Sequence, residues 1–91
     1  MFSLEEVMQY EPVSDNMSWT EFKQTKLYQL YYKNSMSKDL ANIKANVDAV
    51  MQGRISDHMM KTYGFVRHDT RAPWKLYQYI RVSLKRILKK Y

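Results

Sequence analysis

The residues of this sequence that are best suited to chemistry are the cations of its second half. Residues 53–91 contain ten Lys and Arg side chains against two acids, a net charge of +8, whereas residues 1–22 contain five acids and no base. Lys and Arg bind phosphate oxygens, and rings interleaved with them, such as Trp74, Tyr77 and Tyr79, can stack on bases. The pattern therefore indicates contact with the phosphates of a nucleic acid. We expect these contacts to come from Arg67, Arg71, Lys75, Arg81, Lys85, Arg86, Lys89 and Lys90.

A concentration of cations can also arise for reasons unrelated to nucleic acid. Lys and Arg in the last turn of a helix stabilise the helix dipole and keep an amphipathic helix hydrated, without any partner. An anionic membrane or an acidic protein would also attract them. The dipole accounts for the last turn but not for Arg54, Arg67 and Arg71, which lie well before it. We therefore favour nucleic acid, and we do not expect a membrane surface to be the partner.

Aromatic and methionine side chains support a second functional hypothesis. Tyr28 and Tyr32 are four residues apart, so on a helix they project together, away from the side that carries Trp19, Phe22 and Leu27. The seven Met residues would ordinarily fill a core, but Met also lines adaptable binding surfaces. The alternative function is a protein-interaction module that uses Tyr28 and Tyr32. Examples are an inhibitor or adaptor of a nucleic-acid-handling enzyme, or a protein that associates with a second copy of itself.

Catalytic and metal chemistry find little support in the sequence. Without Cys there is no thiol catalysis, disulfide or Cys-based zinc site. The pairs Asp57-His58 and His68-Asp69 are separated by a predicted turn, and nothing in their spacing brings them together. The sequence has no glycine-rich phosphate loop and no nucleophile in a strand-turn-helix setting. We expect no enzyme activity, no metal site and no cofactor.

Helix caps and helix breakers predict the elements that position these residues. Ser3 with Glu6, and Ser18 with Glu21, match the capping box that begins a helix, and Pro73 suits a first helical turn. Only two Gly and two Pro interrupt 91 residues, of which 45% are hydrophobic. These features predict an all-α fold, a small single-domain helical bundle of about four to five helices with a long basic C-terminal helix.

The chain divides into an acidic N-terminal segment and a helical domain. The segment covers residues 1–17, with a short helix at about 4–10. The domain covers residues 18–91, with helices predicted at about 19–33, 38–52, 55–63 and 73–91. The core stripe predicted for the second of these helices is Met36, Leu40, Ile43, Val47 and Val50.

A helix-turn-helix is a weaker interpretation of two of these helices. Residues 38–52 and 55–63 are joined at Gly53, and the second helix would have to reach base edges with several exposed side chains. The residues that could do so are Arg54, Ser56, His58 and Lys61. Because the rest of that helix has a core pattern, a plain helical hairpin is favoured.

The charge asymmetry suggests a further arrangement. The acidic segment could fold against the basic half and shield it until a partner displaces the segment. If so, deleting residues 1–17 should raise the affinity for nucleic acid.

Two observations bear on location. Glu5 and Glu6 stand where a signal peptide would carry Lys or Arg. No uncharged hydrophobic stretch approaches the ~20 residues that span a bilayer. We expect a cytoplasmic protein. Its small size, its Lys and Tyr content and its lack of enzymatic motifs are typical of small regulators of phages or mobile elements, and we hypothesise such a role.

Overall fold

The computed structural model of the chain describes residues 3–9, 11–34 and 36–89, and its regular elements within these ranges are all helices joined by turns and loops. Within these ranges the α-helices are α1 (Leu4–Met8), α2 (Trp19–Gln24), α3 (Lys26–Lys33), α4 (Ala41–Met51), α5 (Asp57–Tyr63) and α6 (Ala72–Leu88), and a short 3₁₀ helix (Lys38–Leu40) leads into α4. The all-α prediction is confirmed, including the long C-terminal helix. One predicted helix is divided in two, so the described residues form six α-helices.

Both predicted capping boxes are present. The Ser3 hydroxyl accepts a hydrogen bond from the Glu6 amide at 3.2 Å, and the Glu6 carboxylate accepts from the Ser3 amide at 3.1 Å. Ser18 and Glu21 repeat the arrangement at 3.1 and 3.4 Å. Each pair satisfies amides that the first turn of a helix leaves unpaired, and this is why α1 and α2 begin where the sequence indicates.

The prediction of one continuous helix over 19–33 is wrong, because the chain breaks at Thr25. Thr25 has an extended backbone (φ −67°, ψ 149°) and separates α2 from α3. Its buried hydroxyl donates to the Phe22 carbonyl at 2.7 Å and accepts from the Tyr28 amide at 3.1 Å. The hydroxyl thus closes one helix and begins the next, so the break leaves few backbone groups without partners.

Other predicted boundaries are close to the observed ones. α1 ends at Met8, the region 38–52 consists of the 3₁₀ helix followed by α4, and α6 is described as far as Leu88. Residues 10, 90 and 91 of the predicted ranges lie outside the described residues. Gly64 has the left-handed conformation (φ 74°) that ends α5, and buried Phe65 follows it.

One member of the predicted core stripe is misplaced. Leu40, Ile43, Val47 and Val50 are buried as expected, but Met36 is 88% exposed. Met36 precedes the 3₁₀ helix, and its backbone does not continue the α-helical turn of α4. The spacing between residues 36 and 40 therefore does not put them on one helical face.

α6 lies at the centre of the core. It packs against α1, α2, α3 and α4, and its residues Leu76, Ile80 and Leu84 are fully buried. Val7 and Met17, from the acidic N-terminal segment, are buried in the same cluster. The segment and the helical domain therefore share one hydrophobic core.

Candidate nucleic-acid interface

α6 carries cations on the side opposite its buried residues. Ile80 and Leu84 are fully buried, so residues about half a helical turn away face outward. Arg86 and Lys89 are exposed, and Lys85 is half-buried. Among the described residues none of these three has an acidic partner. The C-terminal end of α6 therefore offers positive charge that the fold itself does not use.

Lys75, by contrast, is engaged inside the molecule. Its ammonium group forms an ion pair with Asp69, and the two side chains are only 23% and 6% exposed. It also donates to the Gly64 carbonyl at 2.8 Å and lies 6.0 Å from the centre of the Phe65 ring. These contacts fasten the loop between α5 and α6 to the first turns of α6. Lys75 thus has a structural contact, and we leave it out of the proposed interface.

Asp69 accepts three hydrogen bonds that hold the loop against the start of α6. Its carboxylate accepts from the Lys75 ammonium group, from the Arg71 amide at 2.9 Å and from the Val66 amide at 3.3 Å. Burial by itself would raise the pKa of Asp69, but the hydrogen bonds and the Lys75 charge outweigh it and hold the pKa below its ordinary value. The carboxylate therefore stays ionised and compensated, and little of its charge reaches the surface.

Arg81 and Lys90 complete the predicted contacts on the C-terminal helix. Arg81 is half-buried, and its Nε atom is buried without a hydrogen-bond partner in the described part of the chain. It lies near Tyr77, whose hydroxyl donates to Glu11 at 2.9 Å. Burial, and to a lesser extent the hydrogen bond to Glu11 and the charge of Glu11, raise the pKa of Tyr77, whereas the charge of Arg81 lowers it. Arg81 is thus only partly accessible to a partner, and Lys90 lies outside the described residues.

Arg67 and Arg71 lie at the other end of α6. Arg67 is exposed and has no partner among the described residues. Arg71 precedes the first residue of α6, and its Nε atom is 3.9 Å from a carboxylate oxygen of Asp15, with both side chains more than half exposed. An ion pair of this kind contributes ~0–1 kcal/mol. Both guanidinium groups are therefore accessible to an anionic partner.

A cleft of about 480 Å³ opens beside these arginines. The turn at Gly53 (φ 79°) and the left-handed backbone of His68 (φ 55°) lie on its two sides. Its charged or titratable lining consists of Arg54, Arg67, His68 and Asp69, and Trp19 supplies an aromatic wall. Arg54 was not among the residues expected to contact phosphate. Its place in the cleft depends on the packing of the α4–α5 turn against the loop before α6, which sequence spacing does not encode.

The middle of the exposed face of α6 is apolar. A groove of about 390 Å³ is lined mainly by Tyr63, Trp74, Tyr79 and Val82. Tyr77 and Tyr79 are themselves buried, at 3% and 6% exposure, so the prediction that their rings are free to stack on bases is wrong. Both point from α6 into neighbouring elements: the Tyr77 hydroxyl donates to Glu11, and that of Tyr79 accepts from Asn46 at 2.8 Å. Only Trp74 of the three rings is half-exposed.

Tyr28 and Tyr32 form a pair, as their spacing predicts. Their rings stack with centres 6.0 Å apart and planes 20° apart. Tyr32 is 64% exposed, whereas Tyr28 is half-buried and also contacts Phe22 and Tyr31. Burial, followed by the charges of Tyr32 and Asp48, raises the pKa of Tyr28. Tyr32 therefore presents an aromatic surface that Tyr28 holds in place.

The described part of the chain contains neither a cluster of metal-ligating side chains nor a membrane-spanning helix. Among the described residues, no group of three or more His, Cys, Asp and Glu side chains is placed to hold a metal ion. Across the same ranges, no helix combines the length and the apolar composition that crossing a bilayer requires.

Comparisons with protein families, with curated proteins and with solved structures found no match to this chain.

Proposed function

We propose that this protein binds nucleic acid through the phosphates, using the cations at the two ends of α6, and that it is a binding protein and not an enzyme. One observation carries the proposal. Arg54 and Arg67 at one end, and Arg86 and Lys89 at the other, are exposed and lack an acidic partner among the described residues.

The small number of acids strengthens the positive field of the second half of the chain, residues 53–91. Residues 53–91 contain two acids, and Asp69 is compensated by Lys75 and by two backbone amides. The other acid, Asp57, lies in the first turn of α5. From Arg71 to Lys89 the axis of α6 spans about 27 Å at 1.5 Å per residue, enough for each end to contact different phosphates.

The test is fluorescence anisotropy of single- and double-stranded oligonucleotides across a salt titration. Binding that neutralises phosphates weakens linearly with salt on logarithmic axes, with a slope near −0.9 per phosphate for a duplex. The Lys85→Glu, Arg86→Glu double variant should lose detectable binding. A matched control is Lys23→Glu with Lys33→Glu, which makes the same change in net charge at exposed positions on α2 and α3.

The control determines whether the effect is local. We expect the Lys23, Lys33 variant to bind with a smaller loss than the Lys85, Arg86 variant. Equal losses would mean that only net charge matters, and the proposed interface would then be wrong. No binding to either oligonucleotide at low salt would refute the nucleic-acid function and favour a protein partner.

A second candidate function is protein interaction, and the exposed Tyr32 ring stacked on Tyr28 favours it. Aromatic side chains held in one conformation are frequent anchors of protein interfaces. If a second copy of the chain is the partner, sedimentation should show a reversible dimer for the wild type and a weaker one for Tyr32→Ala. A chain that remains monomeric at every concentration would exclude self-association through this surface.

A further inference from the structure

We propose that the cleft beside Trp19 binds one unpaired nucleotide, with its base against the Trp19 ring and its phosphate on Arg54 and Arg67. The inference rests on the proposed nucleic-acid function and deepens it. A protein that contacts only phosphates distinguishes single-stranded from double-stranded nucleic acid by charge density alone. This cleft would also select an unstacked base.

The apolar part of the cleft suits a flat, uncharged ring. Trp19 is half-buried and is held by an edge-to-face contact with the buried Phe22, with ring centres 5.6 Å apart and planes at 88°. Met51, Ile55 and Met60 line the same space and are each partly buried. A volume of about 480 Å³ lies in the range of small-molecule sites. Any nucleobase has a π face that can stack on such a wall.

The mouth of the cleft suits an anion. Arg54 is exposed, and its guanidinium group donates to the side-chain oxygen of Gln52 at 2.5 Å and has no acidic partner among the described residues. Arg67 is exposed and has no partner in the described ranges, and His68 lines the cleft beside it. Two guanidinium groups present planar sets of donors that match phosphate oxygens.

Asp69, the acid that lines the cleft, does not oppose the binding of an anion. Asp69 is 6% exposed at its side chain and is paired with Lys75 and with two backbone amides. Its charge is therefore compensated inside the protein. The cleft thus combines one aromatic wall, an apolar part and two arginines that have no acidic partner within the described ranges, which together match a base and its phosphate.

A duplex does not offer such a nucleotide, because its bases are stacked and paired. Extruding one costs unstacking and unpairing energy, whereas a single strand presents free bases. We therefore expect single-stranded oligonucleotides to bind more tightly than a duplex of equal length at the same salt concentration, although the duplex has the higher charge density.

The experiment compares oligothymidylate with an abasic oligomer of the same length, which keeps the sugar-phosphate chain and lacks the bases. Stacking of one base should make oligothymidylate bind roughly 5- to 150-fold more tightly. Trp19→Leu should remove most of this preference while binding of the abasic oligomer persists. Arg54→Gln with Arg67→Gln should weaken the binding of both oligomers more than the matched variant Lys23→Gln with Lys33→Gln, which removes the same two charges at exposed positions.

A spectroscopic readout covers the case in which Trp19→Leu does not fold. In a Trp74→Phe chain, Trp19 is the only tryptophan, so its fluorescence reports on the cleft. Thymidine monophosphate should quench or shift this fluorescence with saturation, and inorganic phosphate should do so only weakly. A response to phosphate equal to that of the mononucleotide would identify a simple anion site and overturn the base-binding proposal.

The outcomes separate this inference from the function on which it rests. Equal binding of oligothymidylate and the abasic oligomer would refute the nucleotide cleft and leave phosphate binding intact. Absence of binding to both oligomers at low salt would refute the nucleic-acid function itself. A free mononucleotide that saturates Trp19 while no oligomer binds would assign the cleft to a soluble nucleotide instead of a nucleic acid, and would also overturn the proposal.

Discussion

Glu11 connects three parts of the chain through one carboxylate. It accepts hydrogen bonds from the Lys26 amide at 2.6 Å, the Leu27 amide at 3.1 Å and the Tyr77 hydroxyl at 2.9 Å. The first two amides belong to the start of α3, where a helix leaves its N–H groups unpaired and favours negative charge. Glu11 therefore caps α3 from a distant position and attaches the N-terminal segment to α6.

Replacing Glu11 by Gln should reduce the free energy of unfolding by about 1–2 kcal/mol, because the amide nitrogen cannot accept where one carboxylate oxygen did. Urea denaturation followed by circular dichroism measures the change. Glu5→Gln is the matched control, because Glu5 is exposed, and it should cost less than about 0.5 kcal/mol. Equal effects of the two substitutions would show that Glu11 does not cap α3 in solution.

Asp69 makes a pH-dependent contribution to stability. Its pKa in the folded protein lies below its ordinary value of 3.8, so the native state favours the carboxylate more than the unfolded chain does. The stabilisation is complete above the ordinary value and is lost as the pH falls through the folded-state pKa. Asp69→Asn should therefore lower the free energy of unfolding by about 1–3 kcal/mol at neutral pH, and by progressively less as the pH drops below 3.8.

The control for this series is Asp15→Asn. Asp15 is paired with Arg71 at 3.9 Å on the surface, so its replacement should cost less than about 1 kcal/mol at any pH. Measurements are urea midpoints across the acid range. A difference between wild type and Asp69→Asn that does not shrink on acidification would contradict the assignment of the ion pair with Lys75.

The division of the region 19–33 into α2 and α3 depends on a single side chain that makes two hydrogen bonds. Thr25 is 8% exposed and joins the end of α2 to the start of α3. Thr25→Val keeps the shape and removes the hydroxyl, so it should lower the free energy of unfolding by about 1–2 kcal/mol. Chemical denaturation measures this.

Ser37 supplies the matched control for that change. It precedes the 3₁₀ helix without making a side-chain capping bond, so Ser37→Ala should change the free energy of unfolding by less than about 0.5 kcal/mol. A Thr25→Val chain as stable as the wild type would mean that the break between α2 and α3 is set by the packing of Phe22 and Leu27 and not by the hydroxyl.

Over the whole molecule, the acidic segment serves mainly to build the fold. Glu6 completes the capping box of α1, and Glu11 caps α3. Among the described residues one ion pair, from Asp15 to Arg71, joins an acid of this segment to a base of the second half. The hypothesis that the segment shields the basic half therefore rests on one exposed contact.

The main effect of deleting residues 1–17 should be to destabilise the protein, and not to expose its basic half. The deletion removes the buried side chains of Val7 and Met17 together with Glu11, and we expect it to lower the free energy of unfolding by more than about 3 kcal/mol. Asp15→Asn tests shielding without this damage, and should tighten nucleic-acid binding by less than about fivefold in anisotropy titrations. A truncated chain as stable as the wild type, with much tighter binding, would establish the segment as a shield.

Local chemistry made much of the architecture predictable from sequence. The two capping boxes, the left-handed Gly64 and the start of α6 near Pro73 all depend on residues within a few positions of one another. The buried residues of α6 are also predictable, because a helix that buries one face carries apolar residues at regular helical spacing in its sequence. The prediction that Met36 belongs to the core is wrong because the helical spacing does not hold across a turn that is not α-helical.

Composition, helix caps and helical spacing predict that the chain is helical, where most of its helices begin and end, and that positive charge is concentrated in its second half. Which of these charges have a partner depends on how the chain folds. Lys75 forms an ion pair with Asp69, Glu11 accepts hydrogen bonds from the start of α3, and Arg54 and Arg67 both line the Trp19 cleft. Caps and helical periods act within one helix, whereas these pairings depend on how the loops fold back and how the helices pack against one another.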